Sequence, residues 1–280
     1  MRSDIRTAVY DQDLKIEACC FKGTRQTFPN HFHEHYVIGF VEEGKRLLSC
    51  KNKEYAIEKG CVVLFNPGDN HGCVQADDGT LDYRNLQISR ETMADLANEV
   101  TGRPALPLFS SNVIYDEEVS CYLRSLHEMV MNRSAGFGKE ETLLFLISAL
   151  IKDYCLPDPV SLPECGKEVL RACEFMEEHY RERICLDDIC RQAHLSKPAL
   201  LRAFTRTKGI TPYRYLENIR INQAKKLLEQ GAAPLDAAIG TGFSDQSHFT
   251  NYFTSFIGLS PGAYRDIFCS RDKEDISHEQ

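Results

Sequence analysis

The sequence predicts a two-domain α+β chain: a barrel or jelly roll of short strands with helices, then an all-α domain with two helix-turn-helix motifs. Three observations predict it. Apolar, β-branched runs alternate with turn residues as far as residue 88, helical periodicity takes over from residue 90, and a helix-turn pattern repeats near the C-terminus. At 280 residues, 42% hydrophobic and 26% charged, the chain is long enough for two ordinary domains.

The strand-like runs are residues 14–20, 36–41, 46–50, 61–65 and 81–88. Between them fall Glu43-Gly44, Lys59-Gly60, Asn66-Pro67-Gly68-Asp69 and Asp78-Gly79, each a turn signal. Many short strands at this spacing point to a closed or double-sheet β architecture. Helices are expected at 90–100, 117–131 and 139–154. The predicted organisation is a barrel over 1–90, a helical dimerisation and linker segment over 91–160, a double helix-turn-helix domain over 166–268, and an acidic tail over 269–280.

Bulk properties exclude several classes. No apolar stretch follows a basic start, so no signal peptide is expected and a cytoplasmic location is the default. The longest apolar run, near 143–151, is too short and interrupted to span a membrane. Twelve cysteines form no Cys-x2-Cys pair, which argues for reduced, mostly buried thiols over a disulfide framework. The net charge of −8 is unevenly spread. Residues 1–165 carry 17 basic and 25 acidic side chains, whereas 166–271 carry 15 and 12. A local basic excess is sufficient for phosphate contacts.

The C-terminal repeat carries the functional reading. Phe204-x4-Gly209-x-Thr211-Pro212-x2-Tyr215 recurs as Phe253-x4-Gly258-x-Ser260-Pro261-x2-Tyr264, 49 residues on. Each copy ends a short amphipathic helix after a tight turn, a unit that can lay one helix in the DNA major groove. In the first helix, Leu200, Ala203, Phe204 and Thr207 share the packing face at about 100° per residue. Pro198, Leu201, Arg202 and Thr205 lie opposite, with Lys197 and Arg206 in the same DNA-binding set. Ser196 is the expected N-cap. Arg202 can read guanine or hold a phosphate. In the second helix Phe249, Phe253 and Phe256 form the buried stripe; Gln246, Ser247, His248, Thr250 and Asn251 are the reading set, with Thr254 on the same face. The connecting helix, about 213–229, spans roughly 25 Å.

In the N-terminal half, His31-Phe32-His33-Glu34-His35 is followed by Gly60-x6-Pro67-Gly68-Asp69-Asn70-His71. The pair resembles the two cupin motifs. In metal-binding cupins a Glu follows the His pair by four or five residues, where this chain has Val37 and Ile38. No cofactor or metal is therefore expected, and Phe28, His31, His33, Tyr36 and His71 are expected to line an amphipathic pocket for a small-molecule effector. No nucleophile–base pair with recognisable local spacing and no phosphate-cradling glycine loop occurs in this half, so the chain reads as a non-enzyme. The competing reading is a metal-dependent cupin enzyme with an attached DNA-binding-like module.

Residues 186–204, then Gly209-Ile210-Thr211-Pro212, resemble the first half of the AraC/XylS-type DNA-binding domain. Gly242-Phe243-Ser244-Asp245-Gln246-Ser247-His248-Phe249, with Phe253 and Gly258 to Arg265, resembles its second half. The barrel is similar to that family's effector-binding arm. Where the family commonly has a basic residue this chain has Asn251, and Leu201 holds a position that is often polar. The resemblance implies a transcription regulator, often an activator, that binds double-stranded DNA as a homodimer under effector control. RNA polymerase is a further partner under this reading, and no membrane is involved.

Overall fold

A computed structural model of the chain describes residues 4–103, 106–134, 138–156 and 166–269. It divides into two compact units, 1–160 and 161–280. The first contains β1 (Ile5–Asp11), β2 (Ile16–Thr24), β3 (Phe28–His31), β4 (Tyr36–Glu43), β5 (Lys45–Cys50), β6 (Lys53–Glu58), β7 (Val62–Phe65), β8 (His71–Gln75), β9 (Leu81–Ile88) and the short β10 (Val113–Ile114). Three helices accompany them: α1 (Arg90–Thr101), α2 (Glu117–Met131) and α3 (Gly138–Tyr154).

The strands form two sheets, ordered β1-β2-β9-β4-β7-β10 and β3-β8-β5-β6. All pairings are antiparallel. Within the larger sheet, β4 and β7 are buried on both faces, which explains their nearly continuous apolar runs. On β4, Ile38 and Phe40 pack in a core with Leu123, Leu126 and Leu146 of the helices. Val37 and Val41 instead meet Leu48, Cys50 and Ile57 of the smaller sheet. The alternation is the strand period of two.

Among the described residues, five of the ten strands have no counterpart among the predicted runs. In β6, Lys-Glu-Tyr-Ala-Ile-Glu, only Ile57 is buried, so apolar content under-reports this edge strand. The β5–β6 turn places Lys51 and Asn52 at φ 51° and 61°, the left-handed pair of a two-residue hairpin. Leu14, expected in a strand, belongs to the turn before β2, where Asp11 accepts from the Leu14 and Asp13 amides at 3.0 and 3.1 Å.

The second unit is all helical: α4 (Lys167–His179), α5 (Leu186–Ala193), α6 (Lys197–Lys208), α7 (Pro212–Glu229), α8 (Pro234–Gly240), α9 (Gln246–Ile257) and α10 (Pro261–Cys269). Helix α7 belongs to both halves. Its Tyr215 packs edge-to-face on Phe204 of α6, while Ile221, Ala224 and Leu228 join the core of Phe249, Phe253 and Tyr264.

The repeated motif now has a physical reading. Gly209 and Gly258 close α6 and α9 in the left-handed conformation, at φ 71° and 83°. Thr211 and Ser260 then accept backbone N–H bonds at 3.3 and 3.2 Å, and Pro212 and Pro261 begin the next helices.

Candidate effector site and nucleic-acid interface

Two loops build the histidine cluster of the barrel. The turn 66–69 is organised by Asp69, whose carboxylate accepts from the Asn66 amide at 3.0 Å and from the Asn66 and Asn112 side chains at 3.1 Å each. Lys51 pairs with its other oxygen at 2.8 Å. Asp69 is thus a structural anchor. The Gly68 amide donates to the His33 carbonyl at 2.8 Å, which ties this turn to the loop after β3.

His31 and His71 are cross-strand partners on β3 and β8. Their ring centroids lie 4.4 Å apart, with His33 at 4.9 and 5.2 Å. His71 stacks on Phe65 at 3.8 Å and 9°. Nδ1 of His31 lies 2.7 Å from the Pro29 carbonyl, and Nδ1 of His71 lies 2.9 Å from that of Asp69. A carbonyl only accepts, so both Nδ1 atoms carry the proton and both Nε2 atoms bear the lone pair. Burial lowers the His31 pKa to about 4 against a weaker opposing effect of the Pro29 bond. Burial, with the neighbouring His31, also puts His71 well below the usual imidazole range.

Strand register shows what faces this cluster. Tyr10, Glu17, Gln87, Val37 and Phe65 form one row across β1, β2, β9, β4 and β7. Ala8, Cys19, Asn85, Gly39 and Val63 form the next. Glu17 and Asn85 are buried, and Cys19 donates to Glu17 at 3.1 Å. This polar row was absent from the predicted lining. A lone Glu at the second position of an apolar strand, Ile-Glu-Ala-Cys-Cys-Phe, was the signal for it.

The predicted lining is partly assembled. Phe28 meets Phe21 edge-to-face at 6.0 Å across the sheets, and His31, His33 and His71 converge. Tyr36 does not join them. It lies on the helix-facing side of β4, packs on Phe109 at 5.7 Å and donates to the Pro107 carbonyl at 2.8 Å. The pleat dictates this orientation: with Val37 facing the smaller sheet, its neighbour Tyr36 points the other way.

On α6, Lys197, Pro198, Leu201, Arg202, Thr205 and Arg206 are all exposed, while Leu200 and Phe204 are fully buried. Thr207, expected on the packing face, is exposed because α6 ends two residues later at Gly209. Ser196 occupies the N-cap position without a side-chain cap bond. Lys197 pairs with Asp187 at 2.7 Å, whereas Arg202 and Arg206 have no ion-pair partner among the described residues.

On α9, Gln246, Ser247 and Asn251 are exposed, and His248 and Thr250 are half-buried. Asp245 caps this helix, accepting from the His248 amide at 2.7 Å. His248 also approaches the buried Glu217 of α7 at 4.0 Å and packs on Tyr252 at 4.9 Å. It is therefore half a packing residue. Tyr213 (58% exposed) and Arg214, at the start of α7, extend the polar surface beyond the predicted set. Arg214 hydrogen-bonds Tyr252 of α9.

Residues 16–147 match the model of the AraC-like ligand binding domain, and residues 189–267 match a helix-turn-helix domain model. The chain is 49% identical over 249 residues to the HTH-type transcriptional regulator YbfI of Bacillus subtilis strain 168, covering 89% of this chain and 90% of that protein. It is 26% identical over 253 residues to the HTH-type transcriptional activator RhaS of Escherichia coli O81 strain ED1a, covering 88% and 89%. Among solved structures, apo ToxT of Vibrio cholerae strain SCE256 superposes with a TM-score of 0.59 at 16% identity, covering 93% of this chain and 99% of ToxT. ToxT bound to unsaturated fatty acid gives 0.55 at 16% identity, covering 96% and 99%. The ToxT likeness establishes the shared fold.

Proposed function

The chain belongs to the AraC-type family of helix-turn-helix transcriptional regulators, and we propose that it reads DNA through α6 and α9 under the control of an effector held in the barrel. It is a DNA-binding regulator with an N-terminal ligand-binding domain. The observation that carries the reading is the two-sidedness of α6 and α9. Each buries an apolar stripe and exposes a polar face, and on α6 that face includes Arg202 and Arg206, which have no ion-pair partner among the described residues. Arg202 is assigned to base or phosphate contact, Leu201 and Pro198 to apolar contact, and Gln246, Ser247 and Asn251 to polar contacts from α9.

The effector is assigned to the space between the sheets at Phe28, His31, His33 and His71. Its binding changes DNA engagement only insofar as it prefers one of two states. A homodimer is supported by the α2–α3 surface, where the 50% exposed Phe145 stacks on Tyr122 at 5.7 Å. Activation is proposed from the likeness to RhaS, which is named an activator, and RNA polymerase is the further partner that activation would engage. A cytoplasmic site of action is proposed from the transcriptional-regulator relatives; no helix among the described residues is long and apolar enough to cross a membrane. The relatives are transcriptional regulators, which favours a barrel that binds without catalysing.

Selection of bound sequences from a random duplex pool tests this reading. The expected result is an enriched motif with two unequal contact blocks. Recovery of no motif at moderate salt overturns it.

A further inference from the structure

Resting on the effector-site reading above, we propose that the barrel binds one divalent transition-metal ion through His31, His33 and His71. The three residues each offer a ligand atom, and these atoms lie within 4.8 Å of one another. Metal–nitrogen bonds of about 2.0–2.1 Å place tetrahedral ligands roughly 3.3 Å apart. The cluster therefore has to tighten by about 1.5 Å at most. His33 supplies that movement: it is half-buried and sits on the loop between β3 and β4, whereas His31 and His71 are buried on strands.

The two strand histidines are already oriented as metal ligands are. Each donates its Nδ1 proton to a backbone carbonyl, Pro29 in one case and Asp69 in the other. This fixes the tautomer and leaves Nε2 as the electron-pair donor, which is the outer-shell arrangement that holds metal-binding imidazoles. Asp69 is itself locked by Asn66, Asn112 and Lys51, and the His71 ring is pinned against Phe65. The ring orientations are set before any ligand arrives.

The donor set selects the class of ion. Three neutral imidazoles suit Zn, Ni, Cu or Fe and disfavour the oxygen-seeking Mg and Ca. Sequence spacing argued against a metal because Val37 and Ile38 stand where a carboxylate is usual. The structure shows what that replacement does. Val37 faces the interior beside Phe65 and Gln87, so this strand supplies no fourth ligand. A three-histidine site of this kind keeps at least one coordination position for water or a small ligand.

The test is a Co2+ titration of the chelator-treated 280-residue chain, followed by visible absorption and metal analysis. One equivalent is expected to bind with the d–d bands of a nitrogen-ligated site. His33→Gln, which leaves both strands intact, is expected to weaken binding by at least about tenfold. His71→Gln is expected to abolish it, with folding checked by circular dichroism. Three results overturn the proposal: no bound Co2+, a strong cobalt–thiolate charge-transfer band showing cysteine ligands, or His33→Gln binding as tightly as the parent. Duplex selection on the same preparation separates the two readings. A protein that enriches a DNA motif but takes no metal loses only the metal site; one that takes metal but enriches no motif loses the regulator reading.

Discussion

Phe204 meets Tyr215 edge-to-face at 5.3 Å, and the same relationship recurs between Phe253 and Tyr264 at 5.6 Å. Each tyrosine hydroxyl then donates to a glutamate on a neighbouring helix, Glu177 at 2.6 Å and Glu229 at 2.7 Å. The repeat is thus conserved in its interior and divergent on its surface. Arg202 and Leu201 occupy one exposed face; Ser247 and Asn251 occupy the other.

Truncating either phenylalanine should expose that interior dependence. Phe204 and Phe253 are fully buried, so Phe→Ala at each should cost about 3–5 kcal/mol in urea denaturation. DNA affinity should fall for both variants, since each stripe positions its own helix. A loss under about 1 kcal/mol at either site would contradict the packing described.

Arg202→Ala should weaken binding to the selected duplex by about 1–3 kcal/mol and relax preference at one base position. Lys197→Ala should cost less, because Lys197 already pairs with Asp187. Fluorescence anisotropy across a salt series distinguishes them. An Arg202→Ala protein with parental affinity and specificity would remove α6 from the reading surface.

Gly242 and Gly262 should respond oppositely to alanine. Gly242 has φ +84°, and a Cβ there would lie 2.7 Å from the Tyr180 carbonyl oxygen and 2.9 Å from that of Arg181. Arg220 holds the same segment by donating to the Tyr180 and Glu182 carbonyls at 2.8 Å, so the backbone has little room to yield. Gly242→Ala should destabilise by roughly 2–5 kcal/mol from left-handed strain and overpacking together. Gly262 sits inside α10 with open space around it, and Gly262→Ala should be neutral or stabilising by up to about 1 kcal/mol. Thermal denaturation of the pair settles the contrast.

Stability should fall with acidification between pH 6.5 and 4. Burial lowers the pKa values of His31 and His127 from 6.5 to about 4. Both are neutral when folded and take up a proton on unfolding. The unfolded chain therefore binds more protons in that window, so stability is full above about 6.5 and declines toward 4. Each group contributes on the order of 3 kcal/mol to the decline. His127 Nε2 donates to the Cys19 carbonyl at 2.9 Å and its ring packs on Phe40. His71, lowered in the same direction, adds to the same decline, so His127→Phe should flatten the slope by roughly a third, as read by urea denaturation at a series of pH values.

The repeat and the helices were legible because burial repeats along them: Leu200 and Phe204, or Phe249, Phe253 and Phe256, leave a periodic trace. Strands buried on both faces, such as β4 and β7, were legible for the same reason. Edge strand β6 carries a single buried residue, and β3, Phe-Pro-Asn-His, has only His31 fully inside, so neither has a pattern to read. The site was half legible. Motif spacing brought His31, His33 and His71 together, but only strand register could show that Tyr36 turns away and that Glu17 and Gln87 turn in. Register depends on bulges, as between Phe28 and His31, which residue types do not announce.

Helix α7 is one rigid body of 18 residues, about 27 Å long, shared by the cores of both halves. A helix cannot be lengthened by a fraction of a turn without rotating what it carries by about 100° per residue. Under the reading proposed above, substitutions on α6 or α9 would change which letters of an operator are favoured, whereas the separation of its two contact blocks would follow from α7 in the interior of the protein. A genome acquiring new targets under that reading would be free to drift in spelling and held to one spacing.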